Sequence, residues 1–124
     1  MIWVSVVLIC LLAAWILLPR FGWMPSGKAA EVLRSGGVLI DVRTPEEYAI
    51  DRIEGVENIP LGKLEEGVRR AGWSPEKPIL LHCASGIRSE TARRQLQALG
   101  FTEAANLGSF SRAKKIAAAA SRSD

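Results

Sequence analysis

Thiols and imidazoles are scarce in this chain. Of its 124 residues only two are cysteine and one is histidine. Cys10 sits in an apolar run and Cys83 lies far downstream, which excludes a disulfide framework. A structural zinc site takes about four Cys or His ligands, more than Cys10, His82 and Cys83 supply, so no metal is expected, and nothing calls for a cofactor. A Ser-His-Asp triad lacks partners for the same reason. Charge of one sign is also in short supply. The net charge of +3 is mild and scattered, without the basic stripe that a nucleic-acid binder needs. No internal repeat is visible.

Charge is absent altogether from Met1 to Leu18, MIWVSVVLICLLAAWILL. As a helix this run extends on the order of 27 Å, close to the roughly 30 Å hydrocarbon core of a bilayer. Trp3 and Trp23 flank it, as interfacial aromatics do. A cleaved signal peptide needs a basic start and a small-x-small cleavage site, and neither is present. The run is therefore expected to be an uncleaved transmembrane helix over residues 1–18. Arg20, Lys28 and Arg34 follow it and no Lys or Arg precedes it, so the positive-inside rule places the rest of the chain on the cytoplasmic side. Cys10 is then a membrane-embedded small hydrophobe.

Residues 19–27, PRFGWMPSG, read as a juxtamembrane linker broken by proline and glycine. Beyond it, short apolar runs alternate with helical segments. Ser26 is a candidate cap for a helix starting near Lys28. Val38–Val42 and Ile79–Cys83 read as buried strands. Thr44-Pro45-Glu46-Glu47 has the pattern of a capping box with proline at the first helical position. Arg88–Leu99 places Ala92, Leu96 and Leu99 on one helical face, and Glu103–Leu107 is a candidate third strand. This alternation predicts an α/β domain with a mostly parallel central sheet flanked by helices, over residues 28–110. Residues 111–124 read as a basic, Ala-rich tail. Its cluster of Arg112, Lys114, Lys115 and Arg122 suits a solvated helix face, with contact to anionic lipid headgroups as the alternative.

The chemistry points to Cys83. A thiol at the C-terminal end of a buried strand is followed by Ala84, Ser85, Gly86 and Ile87, and a helix opens near Arg88. Sites in open α/β sheets form at such strand ends. The amides of a tight loop make an anion nest, and the positive end of the following helix adds to it. Arg88 adds a charge at the rim. All three favour the thiolate, which is the nucleophile. Next to it, His82 faces the other side of the strand, so a Cys–His protease reading fails and a core role is expected for the imidazole. Asp41 and Arg43, at the end of the neighbouring strand, either border the pocket or form a structural polar network with Glu47.

Four segments, DVRTPEEY (Asp41–Tyr48), RIEGVENIPL (Arg52–Leu61), HCASGIRS (His82–Ser89) and NLGSF (Asn106–Phe110), together resemble a single-domain rhodanese. The resemblance implies a small α/β domain in which Cys83 accepts a sulfane sulfur as a persulfide and passes it on. Residues Ala84 to Arg88 would cradle the anion. The donor would be thiosulfate or a similar small molecule, and the acceptor a thiol, a cyanide-like nucleophile or a protein. The chain departs from that family at Ala84, where many thiosulfate-using members carry a basic residue, and at Gly108-Ser109 and Phe110, where Gly-Gly and a later Trp are common. Phosphatases and arsenate reductases of similar fold use Cys-x5-Arg. Here only four residues separate Cys83 from Arg88, a loop that suits a single sulfur atom better than tetrahedral phosphate. A tethered, non-catalytic sulfur carrier or docking module is the alternative from another class.

Overall fold

A computed structural model describes residues 1–17 and 22–122. In chain order the elements are α1 (Ile2–Leu17), α2 (Ser26–Arg34), β1 (Val38–Asp41), α3 (Pro45–Ile50), β2 (Glu57–Asn58), a 3-10 turn (Leu61–Lys63), α4 (Leu64–Ala71), β3 (Ile79–His82), α5 (Ile87–Ala98), β4 (Ala104–Gly108) and α6 (Phe110–Ser121). The four strands form one sheet in the order β2-β1-β3-β4, with every pairing parallel. Parallel neighbours require crossovers, which the helices supply. The register sets Asp41 beside His82 and His82 beside Gly108, so the strand ends converge on one edge. A bulge between Leu81 and His82 shifts β4 by one residue there, the kind of irregularity that re-aims a strand end.

Both faces of the sheet are covered, which explains why β1 and β3 read as apolar runs up to their last residues, Asp41 and His82, and do not alternate. Ile40, Val42, Ile79, Leu81 and Cys83 point to one face and pack with Leu64, Val68, Ala92 and Leu96 from α4 and α5. Leu39, Leu80 and Leu107 point to the other and pack with Ala29 and Ala30 of α2 and with Ala113 and Ile116 of α6. Small residues at the α2–α6 contact let the two helices approach closely. The segment after residue 110, expected as a tail, is thus a packed helix through Ser121, with Lys114 and Lys115 on its solvent side. Arg112 turns inward and donates to the Leu107 carbonyl at 2.7 Å and to the Met24 carbonyl at 2.5 Å, so it does not belong to a solvated basic face.

Thr44 caps α3 as its sequence pattern predicts: its hydroxyl accepts from the Glu47 N–H, and the Glu47 carboxylate accepts from the Thr44 N–H. Ser26 does not cap α2. It is the first helical residue, after Pro25, and its hydroxyl meets Arg112 at 3.4 Å.

The expected spanning helix is not shown. Among the described residues no helix is long and apolar enough to cross a membrane. The observed α1 has 16 residues, a rise of about 24 Å against a core of roughly 30 Å. Leu18, the last residue of the expected span, lies outside the described residues, as do residues 19–21 of the expected linker and residues 123–124 of the expected tail. The helix is apolar on all sides and its large side chains are exposed.

Gly67 provides a test of packing against propensity. It sits inside α4, where alanine ordinarily gains up to about 1 kcal/mol. A methyl group built there falls 2.6 Å from Cγ2 and 3.1 Å from Cδ1 of Ile59, which is buried. Overpacking of this kind costs about 1–3 kcal/mol. Gly67→Ala is therefore expected to lower the urea midpoint, not raise it.

Candidate active site

Cys83 follows the last residue of β3 and is fully buried. Its N–H donates to the Gly108 carbonyl at 3.3 Å, and Phe110 N–H donates to the Ala84 carbonyl at 3.1 Å, so the start of the loop is pinned to the end of β4. An isolated bridge between Ser85 and Ser109 continues this pinning. Gly86 then turns the chain into α5 with φ of +97°, a left-handed conformation that favours glycine. The turn directs the Gly86 N–H at the Cys83 sulfur, 3.0 Å away. Ser89, buried in the first turn of α5, donates its hydroxyl to the same sulfur at 3.4 Å.

Burial pushes the Cys83 thiol up, but the Ser89 hydroxyl and the N–H groups of Ser89, Gly86 and Ser85 outweigh it, and the pKa is lowered. Hydrogen bonds to the charged form are the dominant stabilisers here. The Ser89 N–H belongs to the open end of α5, so the helix terminus acts by direct contact as well as by its dipole.

Arg88 has another partner. Its guanidinium grips the Glu47 carboxylate with two bonds, 2.5 Å and 3.0 Å long. The Arg88 hydrogen bond holds Glu47 down at about 2, against partial burial and with help from Thr44. Any stability from Glu47 ionisation is thus present above its ordinary value of 4.5 and is lost only as pH falls toward about 2. Arg88 also lies close enough to Cys83 for the thiolate to raise its own pKa, after the larger effect of Glu47. The expected free charge at the rim is instead a neutralised pair joining α3 to α5.

The residues drawn together beneath the loop include one that sequence reading did not single out. Buried Asn106 donates to the Gly86 carbonyl at 3.0 Å and to Glu90 Oε2 at 3.2 Å, and accepts from the Gly108 N–H at 2.8 Å. It clamps Gly86 from below. Of the expected loop residues, Gly86 is buried, Arg88 is half-buried, and Ala84, Ser85 and Ile87 are exposed at the rim.

Asp41 and Arg43 form a buried pair of their own. The Arg43 guanidinium donates to both Asp41 oxygens, at 2.7–3.1 Å, and to the Asp51 carbonyl at 2.6 Å. It lies 4.6 Å from the Phe110 ring centroid. Among the described residues neither hydrogen-bonds to Cys83 or to its loop, and both belong to a structural polar network. His82 lies beside them on the face opposite Cys83, with Nε2 at 3.6 Å from Asp41 and without a hydrogen-bond partner, and Nδ1 at 3.2 Å from the Cys83 carbonyl. Burial lowers its pKa despite the Asp41 charge, so the ring is neutral at neutral pH.

The Rhodanese-like domain family matches residues 26–115. This chain belongs to that family. It is similar to thiosulfate sulfurtransferase PspE of Escherichia coli, 33% identical over 69 residues that make up 56% of this chain and 66% of the relative. It is also similar to the putative sulfur carrier protein YrkF of Bacillus subtilis, 39% identical over 56% of this chain and 36% of the relative. Among solved structures, the human single-domain sulfurtransferase TSTD1 superposes with a TM-score of 0.61 at 27% identity, covering 72% of this chain and 91% of that one. The matched chain spans roughly half to two thirds of its first curated relatives, between 53% and 66% of their length.

Two substitutions separate the two polar sites. Ser89→Ala removes a donor to the sulfur, and bonds to charged groups contribute about 1.5–3 kcal/mol. Alkylation of Cys83 at neutral pH is expected to slow by about tenfold, with its pH midpoint moving up. Arg43→Ala leaves the Asp41 carboxylate buried without its cation. Urea unfolding is expected to show a loss of about 3–5 kcal/mol, while the alkylation midpoint stays where it is.

Proposed function

We propose that this chain is a sulfurtransferase that carries a sulfane sulfur on Cys83. The observation behind the reading is a buried thiol that accepts from the Gly86 N–H and the Ser89 hydroxyl at the open end of α5. The Cys83 thiolate attacks the sulfane sulfur of the donor. A new S–S bond forms at Sγ, the donor's bond to that sulfur breaks, and the leaving group departs with the electron pair, as sulfite when the donor is thiosulfate. The Cys83 persulfide keeps its negative charge within the loop amides. A thiolate or cyanide acceptor then attacks the outer sulfur, and Sγ leaves as thiolate. Sulfur moves with no net consumption of an oxidant or reductant.

A second reading has its own support. Ala84 contributes no charge after the cysteine, and Arg88 is neutralised by Glu47. The loop therefore presents no unpaired cation to an anionic small donor, which suits a sulfur carrier loaded by a protein partner. The relationship to a putative sulfur carrier protein is consistent with this.

The experiment is mass spectrometry of the Cys83 peptide after exposure to thiosulfate and to organic persulfides. A gain of one sulfur atom on Cys83, absent in Cys83→Ser, is expected. Continuous turnover with a thiol or cyanide acceptor identifies the enzyme, while loading without turnover identifies the carrier. Hydrolysis of an aryl phosphate with no sulfur gain from any donor overturns both.

The N-terminal helix supports a proposal about place. An apolar, exposed α1 followed by Lys28 and Arg34 favours membrane association with the α/β domain on the cytoplasmic side. The protein is expected to stay with the membrane fraction through alkaline carbonate washing. Release of intact protein argues against the association.

A further inference from the structure

Trp23 precedes the family match and was expected to mark a membrane interface. Its indole lies instead on the reactive loop. A methyl group built on Gly86 falls 2.7 Å from Cζ2 and 3.1 Å from Cε2 of Trp23; one built on Gly108 falls 2.5 Å from Cδ2 and 2.7 Å from both Cε2 and Cε3. The ring thus packs directly against two neighbouring glycines, at contacts that any side chain there would destroy. Both glycines bond to Cys83: Gly86 through its N–H to the sulfur, and Gly108 through its carbonyl to the Cys83 N–H. The Asn106 side-chain amide also holds Gly86, donating to its carbonyl.

The indole is itself fixed. The Arg112 guanidinium stands 5.5 Å from the Trp23 ring, a cation–π distance. It also holds the adjacent Met24 carbonyl, while Met24 N–H donates to the Asn106 carbonyl at 2.9 Å. Trp23 is 37% exposed and lies outside both apolar clusters. A large aromatic with over a third of its surface in water is poorly used as core filler, but well placed as a plate.

We propose that Trp23 is a positioning residue for sulfur chemistry, pressing Gly86 into the left-handed turn that keeps its N–H on the Cys83 sulfur. The proposal rests on Cys83 being the sulfur-bearing residue. Removing the indole frees one face of Gly86, and the amide donor that stabilises the thiolate loses its aim. Without the plate the thiol titrates higher and reacts more slowly at neutral pH.

The test uses the full-length chain and follows iodoacetamide alkylation at the Cys83 peptide by mass spectrometry, so Cys10 does not contribute. In Trp23→Ala the alkylation rate at pH 7 is expected to fall about tenfold, equivalent to about 1.4 kcal/mol, with the pH midpoint moving up. Trp23→Phe keeps a flat ring and is expected to stay within about twofold of the wild type, since only part of the stacking area is lost. Trp73→Ala removes a tryptophan that packs against the core covered by α4 and α5. It is expected to lower Tm without moving the profile. If Trp23→Ala lowers Tm but leaves the alkylation profile unchanged, as Trp73→Ala does, Trp23 is mere packing and the proposal falls. If the alanine variant does not fold, Trp23→Leu decides: an apolar but non-planar side chain should shift the profile in the same direction, and an unmoved profile overturns the proposal. A wild type that takes sulfur from no donor would sink the sulfurtransferase reading instead, and would leave this comparison of thiol reactivity intact.

Discussion

The hydrogen bond from the Gly86 N–H to the Cys83 sulfur, 3.0 Å long, is the contact around which the loop is built. A buried sulfur bears negative charge only if donors replace the water it has lost. Backbone amides meet that need at fixed geometry, but only if the chain turns sharply enough to aim them. The left-handed turn at Gly86 does this, and the surrounding contacts hold the turn. Asn106 grips its carbonyl, the bridge to Ser109 ties down the preceding residue, and Trp23 covers its open face. The Arg88–Glu47 pair fastens the start of α5 to α3.

Strand alternation separates two polar systems that lie within a few residues of each other. Cys83 faces the side covered by α4 and α5. His82 and Asp41 face the side covered by α2 and α6, where Arg43 and Phe110 complete their surroundings. The buried carboxylate and its guanidinium satisfy one another at the end of β1, and Asn58 ties both backbone carbonyls to β2. The sheet edge is thereby rigid where β3 hands over to the loop. The thiol gains a fixed base without sharing a proton with the imidazole.

Much of this arrangement was legible in the order of residues. The two apolar runs became β1 and β3, the Thr44–Glu47 pattern became a capping box, and Cys83 with its glycine turn and following helix stands where the spacing put it. The errors share a cause. Local composition describes a segment's own tendencies and not its partner. Residues 111–124 looked like a basic tail because alanine and basic residues are frequent there, whereas Ala113 and Ile116 supply the face that covers α2's small residues. Arg88 looked free because its partner lies 41 positions earlier. Ser89 and Asn106 were within quoted motifs, yet their contacts to the sulfur and to Gly86 depend on how α5 and β4 meet. Trp23 was assigned to a bilayer because it neighbours an apolar run, and only the folded chain brings it to two glycines more than sixty residues away.

The parallel sheet has a consequence for the order of events during synthesis. Parallel pairing is non-local by construction, and contacts between distant parts of a chain form late. The contacts that hold the loop around Cys83 come from Trp23, Glu47, Asn106 and Gly108, which are scattered from just before α2 to the end of β4. A nascent chain that has not yet released residues 104–108 has no β4 to hold the loop, and its cysteine behaves as an ordinary thiol. The lowered pKa of the thiol is then a property of the completed fold, absent from a chain in which β4 has not yet paired with β3.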